Sequence, residues 1–513
     1  MEPIEIYIMP KTGGSQSLIE EISEHFSVKV TAPLKRKQVF FDTFDWRLYN
    51  KQSAFTFHRN EWQLISLIDG SVVEKCPAGT KTAPKFWQDF PDGSLKDELK
   101  RILDVRALLP LMSIETSARR IDVLNEDAKI VLRVYVEEIG LLKNRDVDEL
   151  LTVLKLLPLK GYQKELRMFK QHGSFTLGVA LDFKGLFMQL CRAANKQPGG
   201  YSSKLNLAFD LEMPAVDAVK ILLLNLHAVI VENEAGIKAD IDTEFLHDFR
   251  VAIRRTRSAI SQIKGIFPED DLNRFRNDFS LLGKSTNRLR DLDVYLLKKQ
   301  RYKNLLPEFL QPGLDPLFDI LAKERDAEQK KLKKYLNSES YKNQKAAWQA
   351  FLNSAPGTAG EALKNAAKPV LKVACKLVRK KYKRVIALGR KINADAPNSE
   401  FHALRIECKK LRYLLEFFYS LFPGELMDVL IKHLKNLQNN LGDFNDLVIQ
   451  QNNLRKYLEE DAFQNSNSKT AIGGLITALH QRQASERSAF FKTFEAFASE
   501  ENSKLVDQLL QQR

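Results

Sequence analysis

His247-Asp248-Phe249-Arg250-Val251-Ala252-Ile253-Arg254-Arg255-Thr256-Arg257 returns later in the chain as His402-Ala403-Leu404-Arg405-Ile406-Glu407-Cys408-Lys409-Lys410-Leu411-Arg412. About forty residues after each, Leu289-Arg290-Asp291-Leu292-Asp293 is answered by Leu441-Gly442-Asp443-Phe444-Asn445. Two echoes at similar separations mark an internal duplication of at least two helices. On a helix, positions three, four and seven apart share a face. His247, Arg250, Arg254 and Arg257 therefore form one stripe, and His402, Arg405, Lys409 and Arg412 form its copy. Leu404, Cys408, Leu411, Leu415 and Phe418 make a neighbouring apolar stripe that anchors the helix to a core.

Aligned like charges cost a few tenths of a kcal/mol for each i, i+4 pair, so something must compensate. One compensation is internal: Asp291, Asp293, Asp443 and Asp446 neutralise the cations, Arg250 and Arg405 above all. The other is a bound polyanion, because guanidinium, ammonium and imidazolium groups all donate to phosphate oxygens. Between Lys368 and Lys391 ten Lys or Arg occur without one Asp or Glu, and Lys376, Arg379, Lys380 and Lys383 share a face. A solvated helix normally mixes both signs. No GxxxxGK[ST] phosphate cradle is present, which favours a linear polyanion on a track over a nucleotide in a pocket.

The 79 Lys and Arg against 65 Asp and Glu leave a formal charge of +14, which suits polyanionic partners when clustered. At 513 residues the chain calls for two to four domains at roughly 150 residues each. Cys76, Cys191, Cys375 and Cys408 are too scattered for a disulfide framework or a zinc site, which points to a reducing cytoplasm and to no metal. The longest apolar stretch, Ile221 to Val231, is broken by Asn225 and His227 and falls short of the ~20 residues that span a bilayer. Met1-Glu2-Pro3-Ile4-Glu5 lacks the features of a signal peptide. The expectation is a cytoplasmic protein without membrane partners.

Up to about residue 140 the apolar pattern is mostly period two, as in Ile4, Ile6 and Ile8, Phe55 and Phe57, and Leu132, Val134 and Val136. Helices are expected at Gln16 to Phe26, Leu95 to Leu109 and Asp146 to Leu156. The first region thus reads as α+β with antiparallel strands. Gln197-Pro198-Gly199-Gly200-Tyr201-Ser202-Ser203 is a breaker cluster suited to a linker. From Pro214 onward the period is 3.6, punctuated by Pro268, Pro307, Pro312, Pro356, Pro397 and Pro423, so the second region reads as all helical.

The repeated His-x-x-Arg-x-x-x-Arg helix, with its Arg-Asp-x-Asp follower, resembles the CHAD family, the conserved histidine α-helical domains, over residues 209–513. The resemblance implies two four-helix bundles related by a pseudo-twofold, from repeats near 209–355 and 360–513, and inorganic polyphosphate bound in a basic groove. The implied contacts are His247, Arg250, Arg254, Arg255, Arg257, His402, Arg405, Lys409, Lys410 and Arg412, joined by Lys376, Arg379, Lys380 and Lys383. No catalytic residue or cofactor is implied, and an association with polyphosphate granules is. Ala403 at the place of Asp248, and Gly442 at the place of Arg290, mark a second copy that contributes differently.

Residues 1–170 resemble a weakened CYTH domain, the triphosphate tunnel fold, through Gln38-Val39-Phe40-Phe41-Asp42-Thr43-Phe44-Asp45-Trp46-Arg47-Leu48, with 171–208 as a linker. That family begins with Glu-x-Glu-x-Lys; here Pro3-Ile4-Glu5-Ile6-Tyr7 stands instead. Thr56 and His58 occupy the place of two inward arginines, and Ile68 that of a lysine. Glu5, Arg119, Arg120, Arg133 and Glu137 remain as interior candidates. Loss of a metal carboxylate and several phosphate cations makes a non-catalytic relic the expected reading, since charge stabilisation is most of phosphoryl-transfer catalysis. A metal-dependent triphosphatase is the enzymatic alternative, and a nonspecific nucleic-acid binder the other. No zinc-finger spacing, RNP-like aromatic motif or helix-turn-helix supports sequence readout. His247-Asp248 also invites a metal-dependent phosphohydrolase, but Ala403 breaks the pair in the second copy and the arginines repel a cation.

Overall fold

The computed structural model describes residues 4–10, 14–79, 84–143, 146–172, 177–354, 363–459 and 466–511. The chain divides into two compact units, Met1–Ser202 and Ser203–Arg513.

The first unit is one antiparallel sheet with helices on its faces. Its strands are β1 (Glu5–Ile8), β2 (Val28–Val30), β3 (Leu34–Asp42), β4 (Ser53–His58), β5 (Glu61–Ser66), β6 (Val72–Pro77), β7 (Leu109–Leu124), β8 (Ile130–Lys143), β9 (Asp146–Pro158) and β10 (Val179–Leu181). They run in the order β10-β1-β9-β8-β7-β3-β4-β5-β6, with β2 also against β7. The helices are α1 (Gly14–His25), α2 (Arg47–Asn50), α3 (Ser94–Leu103), α4 (Gln163–Gln171) and α5 (Phe183–Ala193). The architecture is consistent with a tunnel-like fold. A two-residue turn joins β4 to β5, and both its residues, Arg59 and Asn60, have positive φ (49° and 61°), the twist that such hairpins require.

Alternation along the strands sorts side chains onto two faces. One face packs Tyr7, Ile121, Val134, Val136, Leu154 and Leu156 against Leu18, Ile19 and Ile22 of α1 and Leu166 and Phe169 of α4. The other packs Ile6, Phe40, Ile114, Ile139 and Val153 against Leu186, Phe187, Leu190 and Cys191 of α5. The Phe-Asp-Thr segment secures the turn after β3, where buried Asp42 accepts backbone N–H bonds from Thr43 (2.7 Å), Leu48 (2.9 Å) and Tyr49 (2.9 Å). Burial pushes its carboxyl up to about 7 against the pull of those bonds.

Two expectations fail against this architecture. Asp146 to Leu156, read as a helix, is strand β9. It lies between β1 and β8 with Val153 buried on one face and Leu154 and Leu156 on the other. A strand covered on both faces carries a near-continuous apolar run, which periodicity alone does not distinguish from a buried helix. Residues 171–208, read as a linker, include β10, which pairs with β1, and α5, which fills one face of the sheet. The division falls after Ser202, within the breaker cluster.

The second unit is helical. The first half contains α6 (Ala215–Ala239), α7 (Thr243–Gln262), α8 (Glu269–Ser285), α9 (Asn287–Leu297), α10 (Lys299–Lys303), α11 (Asp315–Asn337) and α12 (Glu339–Asn353). The second half contains α13 (Val370–Gly389), α14 (Asn398–Phe417), α15 (Gly424–Glu459), α16 (Ser466–Phe497) and α17 (Glu500–Gln511). Prolines 214, 268, 369 and 397 stand immediately before α6, α8, α13 and α14, where a missing N–H is harmless. The duplication is visible in the backbone. Val370 N–H donates to Met213 O (2.9 Å), and Ala215 N–H donates to Lys368 O (2.8 Å), a reciprocal exchange at equivalent positions. The halves also share a core, in which Leu292, Tyr302, Phe318 and Leu321 pack with Leu454, Ile472, Leu475 and Leu479. Among the described residues no helix is long and apolar enough to cross a membrane.

The strand assignment of β9 is testable by truncation on both faces. Val153→Ala and Leu154→Ala should each destabilise the first unit, Leu154→Ala by about 2–5 kcal/mol, in denaturant unfolding. An amphipathic surface helix would tolerate one of the two neighbouring changes.

Candidate functional site: a cationic valley between α7 and α14

Asp242 starts α7 by accepting from the backbone N–H of Glu244 (2.9 Å) and Phe245 (3.3 Å). Phe245, Phe249, Ala252, Ile253 and Ile260 then turn into the core, which fixes the outward direction of Arg250, Arg254 and Arg257. On α14, Phe401, Leu404, Cys408, Leu411 and Leu415 do the same for His402, Arg405, Lys409 and Arg412. The two helices pack against each other. The charge of Arg254 reaches Arg250 and Arg290 of its own half and Arg405 and Lys409 of the other, so the two stripes lie within electrostatic range of one another.

The stripe cations are neutralised unevenly. Glu416 ties Arg255 (2.8 Å) to Arg412 (2.7 Å), and Arg255 also donates to the Ser203 carbonyl (2.8 Å). Glu407 holds Lys410 (2.7 Å) and Lys381 (2.7 Å). Arg405 has a long pair to Asp446 at 3.4 Å. Arg250 forms no ion pair among the described residues; its Nη1 donates to the Thr286 hydroxyl (2.6 Å) and weakly to the Gly283 carbonyl (3.4 Å). The helix break between α8 and α9 makes those acceptors available, whereas α15 runs unbroken for 36 residues. Among the described residues, Arg254, Arg257 and Lys409 have neither a hydrogen-bonded nor an ion-paired side-chain partner, and the buried Nε of Arg254 finds no acceptor in the protein. Of the acids expected to neutralise the stripe, Asp293 is taken by Arg325 (3.0 Å), and Asp446 is the one that forms an ion pair with a stripe cation among the described residues.

This crowding shows in the titration of the site. Burial, and then the Arg405 and Arg254 guanidiniums, push the Lys409 ammonium down to about 8. Burial, with Arg254 beside it, pulls Arg250 down to about 10. Burial also lowers Arg405 and Arg290.

The histidines differ between the halves. Arg290 donates from Nη2 to His247 Nδ1 (2.9 Å). Arginine only donates, so that nitrogen carries a lone pair and Nε2 of the neutral ring carries the hydrogen. His402 Nδ1 meets the Asn445 side-chain oxygen at 2.6 Å and is the donor there. Neutral His402 therefore presents a lone pair at Nε2, and only protonation turns that atom into a phosphate donor. Both partners lie 43 residues after their histidine, so the structure sets Asn445 opposite Arg290; the expectation that Gly442 takes that place fails, because the counterpart of Arg290-Asp291 is Asn445-Asp446 rather than Gly442-Asp443.

Comparison with known proteins locates this arrangement. The CHAD domain family model matches residues 221–455. Those residues form a CHAD domain. The CHAD domain from the plant Ricinus communis is similar at 24% identity with a TM-score of 0.49, over 57% of this chain and 95% of its own. PptA from Streptomyces chartreusis is similar at 13% identity with a TM-score of 0.44, over 55% of this chain and 99% of its own. No curated protein matches the chain.

Within the CHAD domain, Lys376, Arg379, Lys380 and Lys383 are exposed along α13. Lys381 of the same helix reaches Glu407, which lies on the side of α14 opposite the His402–Arg412 stripe. The α13 cations therefore stand apart from the α7–α14 valley as a separate basic face. Asp248 is buried, and among the described residues no group of three or more His, Cys, Asp or Glu could hold a metal ion.

In the first unit the interior candidates separate by strand parity. Arg120, Arg133 and Glu137 share the face covered by α5, where Glu137 binds Arg36 (2.6 Å) and Lys155 (2.7 Å). Glu5 and Arg119 lie on the other face: Glu5 binds Lys170 of α4 (2.8 Å), and Arg119 binds Gln16 of α1.

Lys409 offers a direct check on the valley. The unfolded chain keeps its lysine protonated up to ~10.4, while the folded chain releases the proton near 8, so between those values the unfolded state holds more protons and stability rises with pH. Relative to Lys409→Met, the wild-type protein should therefore gain roughly 1–2 kcal/mol between pH 8 and 10.5 in urea unfolding. A flat difference would place Lys409 in open solvent.

Proposed function

We propose that the CHAD domain of this protein binds inorganic polyphosphate along the valley between α7 and α14, without covalent chemistry. One observation carries the reading: the equivalent residues Arg254 and Lys409 feel one another's charge across the duplication, and among the described residues neither has an ion-pair partner. Like charges held half-buried within electrostatic reach of one another oppose folding. Glu407 and Glu416 neutralise flanking cations and leave this centre alone. A row of phosphates supplies the missing negative charge, and its oxygens match guanidinium and ammonium donors. His247 and His402 extend the stripe on their own helices, two turns before Arg254 and Lys409. The association of CHAD domains with polyphosphate supports the same choice. The exposed α13 face adds long-range attraction for a polyanion.

For the first unit we propose no hydrolytic role. Glu5, the carboxylate on which a metal-dependent triphosphatase would depend, is held by Lys170 and Tyr7 on the face away from Glu137. Apolar α5 side chains occupy much of the face a triphosphate would need. A cytoplasmic setting and an association with polyphosphate granules belong to the same proposal.

The test is direct binding of long-chain polyphosphate to the full-length protein. Log K should fall linearly with log salt, because each neutralised phosphate releases counterion. Arg254→Ala with Lys409→Ala should weaken binding by roughly 10–100-fold, on the order of 1.5–3 kcal/mol for charge-assisted bonds, with unchanged helicity. Duplex DNA at equal phosphate concentration should fail to displace the polymer; displacement would make the valley a general polyanion binder.

A further inference from the structure

Beyond the repeated motif, the valley does not stop at His402. Asn398 lies one turn earlier on the same face of α14 as His402, Arg405, Lys409 and Arg412. On α15, Val448, Asn452 and Arg455 follow Asn445, the partner of His402, at three, seven and ten positions, again on one face. Both lines run into a cavity of about 340 Å³ whose wall includes Asn398, Gln451, Arg455, His480, Gln483 and Arg487. That wall contains three cationic or ionisable nitrogen side chains and, among the described residues, no carboxylate. Arg487 is fixed in place: it donates to the carbonyl of Ala394 (2.6 Å) and to Asn398 Oδ1 (3.3 Å), and stacks over Phe401 at 5.0 Å. Arg455 and His480 are exposed and, among the described residues, unpartnered.

The first half closes the corresponding end. Arg290 and Asn445 each bond the repeated histidine from 43 positions on, so Asp293 stands where the second half has Val448 of the cavity wall, and Arg325 clamps Asp293 together with Asp240. Exchange of Asp293 for Val448 removes a buried charge and leaves the second half without that clamp. Among the described residues, the second half is therefore open and basic at an end that the first half closes.

We propose that the polyphosphate track continues past His402 into the cavity between α14, α15 and α16, where Arg455, His480 and Arg487 hold phosphates beyond those at the Arg254–Lys409 centre. This rests on the polyphosphate reading and adds to it a direction and a length preference. From Arg412 to Asn398 the α14 stripe rises about 21 Å at 1.5 Å per residue, so a chain of three phosphates fits the centre without reaching the cavity. A long chain occupies both.

The experiment compares tripolyphosphate with long-chain polyphosphate on the full-length protein, using Arg455→Gln with His480→Gln, two exposed positions whose replacement leaves the core intact. Long-chain affinity should fall on the order of tenfold with a shallower salt dependence, while tripolyphosphate affinity stays within about twofold and the melting temperature is unchanged. Equal weakening of both anions, or no weakening of the long chain, overturns the extension while leaving the central site standing. If wild-type protein binds neither anion, the polyphosphate reading fails and the extension fails with it.

Discussion

The organising constraint of the helical unit is the electrostatic coupling of Arg254 and Lys409, two like charges at equivalent positions of a duplicated helix. Among the described residues no acid pairs with either. Their approach is enforced from behind by residues with no freedom to move: Phe249, Ala252 and Ile253 on α7, and Leu404, Cys408 and Leu411 on α14, all almost fully buried. Burial of these side chains at about 25 cal/mol per Å² of apolar surface outweighs the Coulomb repulsion of partly solvated cations, so the fold keeps the two cations within electrostatic reach rather than splaying them. Glu416 then bridges Arg255 to Arg412 and reinforces the approach of the two helices close to the unneutralised centre.

Duplication explains why such a contact arises, and divergence explains why it is not symmetric. A helix whose charged face is stable against solvent faces its own copy when the segment is doubled, and Arg254 then acquires an equivalent cation, Lys409, within electrostatic reach. The first half carries arginine at the centre and answers Arg250 with neutral acceptors at a helix break. The second half has a lysine at the place of Arg254, whose ammonium is pushed down to about 8, whereas a guanidinium such as that of Arg250, pulled down to about 10, stays charged well above neutral pH. It also has a continuous α15 and places Asp446 loosely against Arg405. Opposite histidine tautomers follow from the same divergence, through an arginine in one half and an amide in the other.

The duplication and the charged stripe were legible because both depend on local spacing: i, i+3, i+4 and i+7 offsets survive any tertiary arrangement. The pairing of the cations was not. Arg255 finds Glu416 across 161 residues, and no pattern within either helix announces it. Arg412 with Glu416 was visible as an i, i+4 pair and is the signal that would have marked that end of the stripe as neutralised. The α13 cations read correctly as an acid-free face, but their orientation depends on which side of α14 receives Lys381. In the first unit the obstacle is again tertiary. β9 was lost because its neighbours cover both faces, and α5 because the breaker cluster that follows it drew the whole of 171–208 into a linker, although Leu186, Phe187, Leu190 and Cys191 are spaced as one helix face.

That hidden helix decides what the first unit can be. On a sheet whose two faces alternate apart from local bulges, the same side that carries Arg36, Arg120, Arg133, Glu137 and Lys155 also carries Ile6, Phe40, Ile139 and Val153. The polar residues pair with one another, Arg36 and Lys155 on Glu137, Arg120 and Arg133 on Asp122. The apolar ones are sealed by Leu186, Phe187 and Leu190. Expelling α5 to admit a polyanion would return those leucine and phenylalanine surfaces to water, about 1.5–3 kcal/mol for each side chain, and would break ion pairs already satisfied. Arg254 and Lys409 require neither change, because their donors already lie unpaired at the surface of a fixed core. The two units thus differ in what an anion would meet: a packed apolar face with satisfied ion pairs in one, and uncompensated cations on a fixed core in the other.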